Sequence, residues 1–203
     1  MENNFTNTTV LDLLFRAAKR NPSKTYCKSA HHEFTYQQFI TACMKLSKDI
    51  ANKNINNERI GILLPNSILF LISYFAILIS GNRPALLNYL LPDYALDKLI
   101  DNLEPSLLIS DKALLKSQSI IVKIEDYLEL EESSIDETDF RCESTEVGAI
   151  LFSGGTTGIP KQINHSHKCI ISMVDRMEWG WPTTLNEKWL VVLYDPIHVF
   201  ECQ

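Results

Sequence analysis

From Arg59 to Ile124, short apolar runs alternate with helix-length stretches, and this alternation limits the possible folds more than any other feature of the chain. Arg59-Ile-Gly-Ile-Leu-Leu64 is an apolar run closed by Pro65-Asn66, the pattern of a strand buried on both faces. Ser67 can cap the apolar stretch Ile68 to Ser80, and Gly81-Asn82 ends it. The rhythm then repeats, with a strand at Pro84 to Leu87, a helix at Asp93 to Leu103, and strands at Ser106 to Ser110 and Ser119 to Ile124. Strands separated by whole helices pair through crossovers rather than hairpins. The pattern therefore predicts an α/β fold, with βαβ units around a mostly parallel sheet and helices on both faces. The thirteen residues of the apolar stretch Ile68 to Ser80 fall well short of the roughly 20 that span a bilayer, so this stretch reads as a buried helix.

On either side the pattern is less regular. Val10 to Arg20 has apolar residues at helical spacing, Thr9 as a cap and Asn21-Pro22 as a stop. Tyr26 to Ser29 reads as a short strand. Tyr36 to about Asn52 reads as a helix with Phe39, Ile40, Cys43, Leu46 and Ile50 on one face. Glu125 to Glu146 carries ten acidic residues against Arg141 alone, which marks a solvated connecting segment. The expected division is therefore an N-terminal α/β unit (1–124), the acidic connector (125–146), and a further α/β portion (147–203). In the last of these, Val147 to Phe152 is a strand and Ser166 caps a helix from His167 to about Met177. Trp189 to Tyr194 reads as another buried strand.

The strand at Val147 to Phe152 delivers the most chemically loaded stretch, Ser153-Gly154-Gly155-Thr156-Thr157-Gly158-Ile159-Pro160-Lys161. Glycines let a backbone approach an anion closely and adopt positive φ. Successive amides can then form a concave anion site. Ser153, Thr156 and Thr157 add hydroxyl donors and Lys161 a full charge, together the groups needed to hold nucleotide phosphates. A plain hairpin turn needs two to five residues and no such set of hydroxyls. The segment is not a Walker loop, which runs Gly-Lys-Ser/Thr straight into a helix. Here Pro160 precedes Lys161, Gln162 follows, and Ile163, His165 and His167 alternate as on a returning strand. No GxGxxG dinucleotide motif is present.

On these residues the chain resembles the adenylate-forming superfamily of acyl- and aryl-CoA synthetases, non-ribosomal peptide adenylation domains and luciferases. Their signature reads, roughly, Thr/Ser–Ser–Gly–Thr–Thr–Gly–x–Pro–Lys–Gly. This chain departs from it at Gly154, where Ser is common, and at Gln162, where Gly is usual. Phe34-Thr-Tyr, Arg59 to Ser67, Gly81 to Ala85 and Ser166-His167 resemble further segments of the family. So does Asp195-Pro-Ile-His-Val-Phe200, although Glu201 stands where the family shows Gly. The resemblance implies the N-terminal part of the ligase fold and an ATP-dependent, AMP-forming activation of a small-molecule carboxylic acid. CoA or a carrier-protein thiol would be the acceptor, and Mg2+ would accompany ATP. It assigns Ser153, Gly154, Gly155, Thr156, Thr157, Gly158 and Lys161 to the phosphates, and His198 to the neighbourhood of the ATP and acyl pockets. The family's adenine-contacting, ribose-holding and catalytic-lysine segments have no counterpart among these 203 residues. The expectation is thus an N-terminal portion with no catalytic residue of its own, inactive alone. The alternative is a truncated, non-catalytic relative serving as a nucleotide-binding or protein-interaction module. Either way, an apolar surface left uncovered predicts self-association.

Composition removes several other classes. A net charge of −6 with no Lys/Arg stripe argues against nucleic acid as a partner. The five scattered cysteines (Cys27, Cys43, Cys142, Cys169, Cys202) include no CxxC pair, which fits buried free thiols in a reducing cytoplasm. The N-terminus lacks the basic start and apolar run of a signal peptide, so the Asn4, Asn7 and Asn164 sequons carry no weight. His31 and His32 precede a strand and read as exposed. His165 and His167 share a face at strand spacing, but no Cys, Asp or Glu lies close in sequence to complete a metal site. Trp179, Trp181 and Trp189 read as packing anchors.

Overall fold

The computed structural model describes residues 8–111, 118–128, 146–153, 160–180, 189–191 and 200–202. Helix α1 (Val10–Arg20) starts in a reciprocal capping box. The Asp12 amide donates to Thr9 Oγ1 at 3.1 Å, and the Thr9 amide donates to Asp12 Oδ2 at 2.6 Å. Strands β1 (Thr25–Lys28) and β2 (Glu33–Thr35) form a hairpin that leads into α2 (Tyr36–Ala51), where Thr35 and Gln38 repeat the same box. Beyond it come β3 (Arg59–Leu63), α3 (Ile68–Ile79), β4 (Arg83–Leu86), α4 (Asp93–Leu103), β5 (Leu107–Ser110) and β6 (Ser119–Ile121). After the intervening segment, β7 (Val147–Phe152) and β8 (Gln162–Ser166) are followed by α5 (His167–Gly180), β9 (Trp189–Val191) and β10 (Phe200–Cys202).

Six strands form one sheet in the order β6-β5-β3-β4-β7-β8, parallel throughout except where β8 turns back antiparallel to β7. Alternation along the strands sorts side chains to two faces. Ile60, Ile62, Leu107 and Ile109 join α2 and α3 in the larger core, and Leu63, Ala85, Leu108 and Ile150 join α4 in a second one. Helices therefore cover both faces, as the alternation predicts. Gly61 permits the tight packing on the α4 side, because a Cβ there would lie 2.4 Å from Leu108 Cδ2.

The end of α3 shows why the predicted stop works. Gly81 takes φ 74°, and Asn82 is buried behind it. Asn82 accepts the Glu58 amide on Oδ1 at 3.0 Å and donates through Nδ2 to the Ile55 and Ser80 carbonyls. One buried amide thus ties the helix end to the approach of β3.

Several elements differ from expectation. The strand predicted for Ser119 to Ile124 ends at Ile121, and a 3₁₀ turn (Ile124–Tyr127) takes over. That turn is held on α2, with Lys45 Nζ donating to the Asp126 carbonyl at 2.7 Å and lying 5.2 Å from the Tyr127 ring centroid. A second, antiparallel sheet with the order β2-β1-β10-β9 has no forecast in the helix–strand rhythm. Its ladder joins Cys27 to Cys202, at opposite ends of the chain. The predicted strand at Trp189 to Tyr194 is present over Trp189–Val191, and its remaining positions lie outside the described residues. Cys27 and Cys43 are buried and in no disulfide, as expected, but Cys169 is exposed. No described helix is long and apolar enough to cross a membrane.

Candidate functional site

The helices after β3 and β4 lie on opposite faces of the sheet, because β4 neighbours β3 on one side while β5 lies beyond β3 on the other. The two connections diverge at the carboxyl ends of β3 and β4, which opens a crevice there, the usual ligand position in an open α/β sheet. A cavity of about 560 Å³ occupies that place. Pro65, Asn66 and Phe70 form the β3 side, and Leu87 to Leu91 the β4 side. Phe152, Ser153 and Pro160 close it from β7. The feet of the segment 153–161 are therefore one wall of the crevice. Tyr89, in the opposite lip, donates from its hydroxyl to Asp111 Oδ2 at 3.1 Å.

Strands β7 and β8 run in register from Ala149↔His165 to Phe152↔Gln162, which brings the two ends of the segment together. The Ser153 amide donates to the Lys161 carbonyl at 3.0 Å, and the Lys161 amide donates to Ser153 Oγ at 3.2 Å. Of the candidate phosphate-binding residues, these two are brought face to face. Lys161 is exposed and pairs with no carboxylate among the described residues. Gly154, Gly155, Thr156, Thr157, Gly158 and His198 lie outside the described residues. Two residues near the loop were not legible as site residues. Asn102, near the end of α4, donates from Nδ2 to the Pro160 carbonyl at 3.4 Å. Gln162 Nε2 donates to the Asn102 carbonyl at 2.8 Å. Gln162 stands out in the sequence as a departure from the signature, whereas nothing local singles out Asn102.

The histidines need one correction. His165 and His167 do not share a strand face, since β8 ends at Ser166 and His167 opens α5. Ser166 Oγ accepts the Cys169 amide at 3.1 Å, so the helix start expected there is the stronger local signal. His167 is buried, and its Nδ1 accepts the Val10 amide at 3.3 Å. Burial pushes its pKa below the usual histidine value, and the Asp12 carboxylate opposes part of that shift. His167 thus ties α5 to α1 and stays neutral. Gly148 on β7 makes the close approach possible, because a Cβ there would lie 2.8 Å from Ile170 Cδ1 and 3.1 Å from His167 Nδ1. His165 Nδ1 lies instead 3.7 Å from Cys169 Sγ.

Comparison with known proteins gives a consistent result. The model of a family described as AMP-binding enzyme matches residues 14–203. The nonribosomal peptide synthetase TES of Alternaria alternata is 24% identical over 188 residues, covering 85% of this chain and 4% of that protein. A long-chain-fatty-acid–CoA ligase of Bacillus subtilis is 22% identical, covering 82% of this chain and 38% of the ligase. Among solved structures, the O-succinylbenzoate coenzyme A synthetase of Bacillus subtilis in complex with AMP superposes with a TM-score of 0.74 at 17% identity. That match covers 89% of this chain and 48% of the synthetase. The chain spans less than half the length of each of these three proteins.

Proposed function

The chain belongs to the AMP-binding enzyme family, and from that premise we propose that it is the N-terminal, phosphate-gripping portion of an ATP-dependent, AMP-forming carboxylic-acid ligase. The observation that carries this reading is the segment 153–161. It is rich in glycine and hydroxyls, follows a buried parallel strand, and has its feet closed by Ser153 and Lys161 at the wall of the switch-point cavity.

In the proposed reaction a carboxylate oxygen attacks the α-phosphorus of ATP, the bond to the β-phosphate oxygen breaks, and pyrophosphate leaves with its electron pair. A thiol of CoA or of a carrier protein then attacks the acyl carbon, giving a thioester, AMP and a released proton. In this scheme Ser153, Gly154, Gly155, Thr156, Thr157, Gly158 and Lys161 hold the β- and γ-phosphates. They stabilise charge on the leaving group rather than perform the attack. His198 is proposed to line the neighbouring pocket. The described residues hold no group of three or more His, Cys, Asp or Glu side chains able to bind a metal. Mg2+ would accompany the ATP phosphates, and no step here is routed through it. A cytoplasmic setting suits both ATP and a free thiol acceptor. The 203-residue chain alone is expected to bind without turning over.

Acid-dependent ATP–pyrophosphate exchange, assayed over a panel of carboxylic acids with the protein product of the gene that encodes this chain, tests the reading. Exchange stimulated by one class of acid, and lost in Lys161→Ala, is the expected result. ATP binding without exchange for any acid would favour the non-catalytic nucleotide-binding alternative, and absence of both would overturn the assignment.

A further inference from the structure

The hydrogen bonds around the returning limb of the loop converge on one residue of α4. Asn102 lies in the last turn of that helix, where carbonyls have no intrahelical amide to accept from. Its carbonyl accepts from Gln162 Nε2 at 2.8 Å, and its own Nδ2 donates to the Pro160 carbonyl at 3.4 Å. The two contacts therefore land on the residues immediately before and after Lys161. On the other side, the Lys161 amide and carbonyl are tied to Ser153.

Among the described residues, strand β8 ends the six-stranded order, and the β7 ladder braces the limb from one side. Helix α4 supplies the second brace, and through Leu99 it also lines the cavity that Pro160 closes. We propose that Asn102 and Gln162 are positioning residues that clamp the backbone of Lys161 between α4 and β7. The backbone that carries the ammonium is then ordered before an anion arrives at the crevice, and only the side-chain rotamers remain to be fixed on binding. Pre-ordering of this kind raises affinity without a new contact to the ligand. The proposal rests on reading 153–161 as a pyrophosphate grip, whereas the clamp itself can be tested without any ligand.

The test uses Gln162→Met, which keeps the stem length and removes the donor, and Asn102→Ala as an independent second variant. Hydrogen exchange of peptides spanning 150–164 and pyrophosphate titration are measured on the same 203-residue chain, with a urea melt as the control for global stability. Loss of one such hydrogen bond corresponds to roughly a two- to tenfold change. Exchange in the loop feet should speed up by that factor and pyrophosphate should bind weaker by a similar factor, while the urea midpoint falls by no more than about 0.7 M, the loss of one hydrogen bond. Unchanged exchange in both variants overturns the clamp. Faster exchange with unchanged pyrophosphate affinity overturns the positioning role and leaves a purely structural brace. A wild-type chain that does not bind pyrophosphate refutes the loop reading and the positioning role with it, and the exchange result then still decides whether the clamp exists.

Discussion

Gly148→Ala tests how the loop-bearing strand is seated. The glycine lies on β7 with α5 packed directly over it, and its φ is not in the left-handed region, so a side chain there meets a steric penalty alone. The added methyl would lie 2.8 Å from Ile170 Cδ1, 3.1 Å from His167 Nδ1 and 3.3 Å from the His167 backbone nitrogen. The first neighbour is the free end of a side chain and can rotate. The other two belong to the first residue of α5, which is held by its bond to Val10, so the helix start must shift. Overpacking of this kind costs about 1–3 kcal/mol. With a urea dependence of about 2–3 kcal/mol per molar, the midpoint should fall by roughly 0.3–1.5 M. Ile170→Val removes the nearest obstructing atom, so the double variant should recover at least about 0.5 kcal/mol relative to the sum of the single effects. A Gly148→Ala protein with an unchanged midpoint would refute the close packing of α5 on β7, and strict additivity with Ile170→Val would refute the assigned clash.

Three further outcomes are expected. Because burial holds the pKa of His167 below its ordinary 6.5, the unfolded chain takes up its proton first as pH falls. Stability should therefore decline from about pH 6.5 down to the folded-state value and level off below it. Unfolding free energies of wild type and His167→Asn, compared between pH 7.5 and 5, should converge as pH falls, and a constant difference would contradict the buried neutral histidine. Burial also pushes the Cys43 thiol well above its ordinary value, with Cys27 adding to the shift. Mass-spectrometric mapping with a thiol reagent at pH 8 should label Cys169 in the native chain and reach Cys27 and Cys43 only in denaturant. Labelling of Cys43 at the rate of Cys169 would contradict the core assignment. Finally, α5 exposes Met173 (55%), Val174 (51%) and Met177 (53%) at a spacing that puts them on one helix face. Light scattering should show mass rising with concentration, and Met173→Lys with Met177→Lys should reduce it; a monomer at all concentrations would contradict self-association through this face.

Local signals read well where the deciding interactions are local. Helix α4 begins at Asp93 and ends at Leu103, and β7 runs from Val147 to Phe152, both as the residue pattern predicts. The caps Thr9, Ser67 and Ser166 each accept the backbone amide expected of them. The sheet between two helical layers follows from alternation, since buried parallel strands must be apolar on both faces. What stayed illegible depends on distant partners. The β1–β10 pairing joins segments about 175 residues apart through short strands with no distinctive period. The Asn102–Gln162 contact spans sixty positions and involves residue types common on any surface. His167 continued the alternation of Ile163 and His165, yet the Ser166 cap overrode it and turned the chain into a helix.

In the proposed function the segment closed by Ser153 and Lys161 grips pyrophosphate. Titration calorimetry of pyrophosphate into wild type and Lys161→Ala tests it most directly. A charge-assisted contact to phosphate contributes about 1.5–3 kcal/mol, so the variant should bind at least about tenfold more weakly. Equal affinity in the two proteins would contradict the claim.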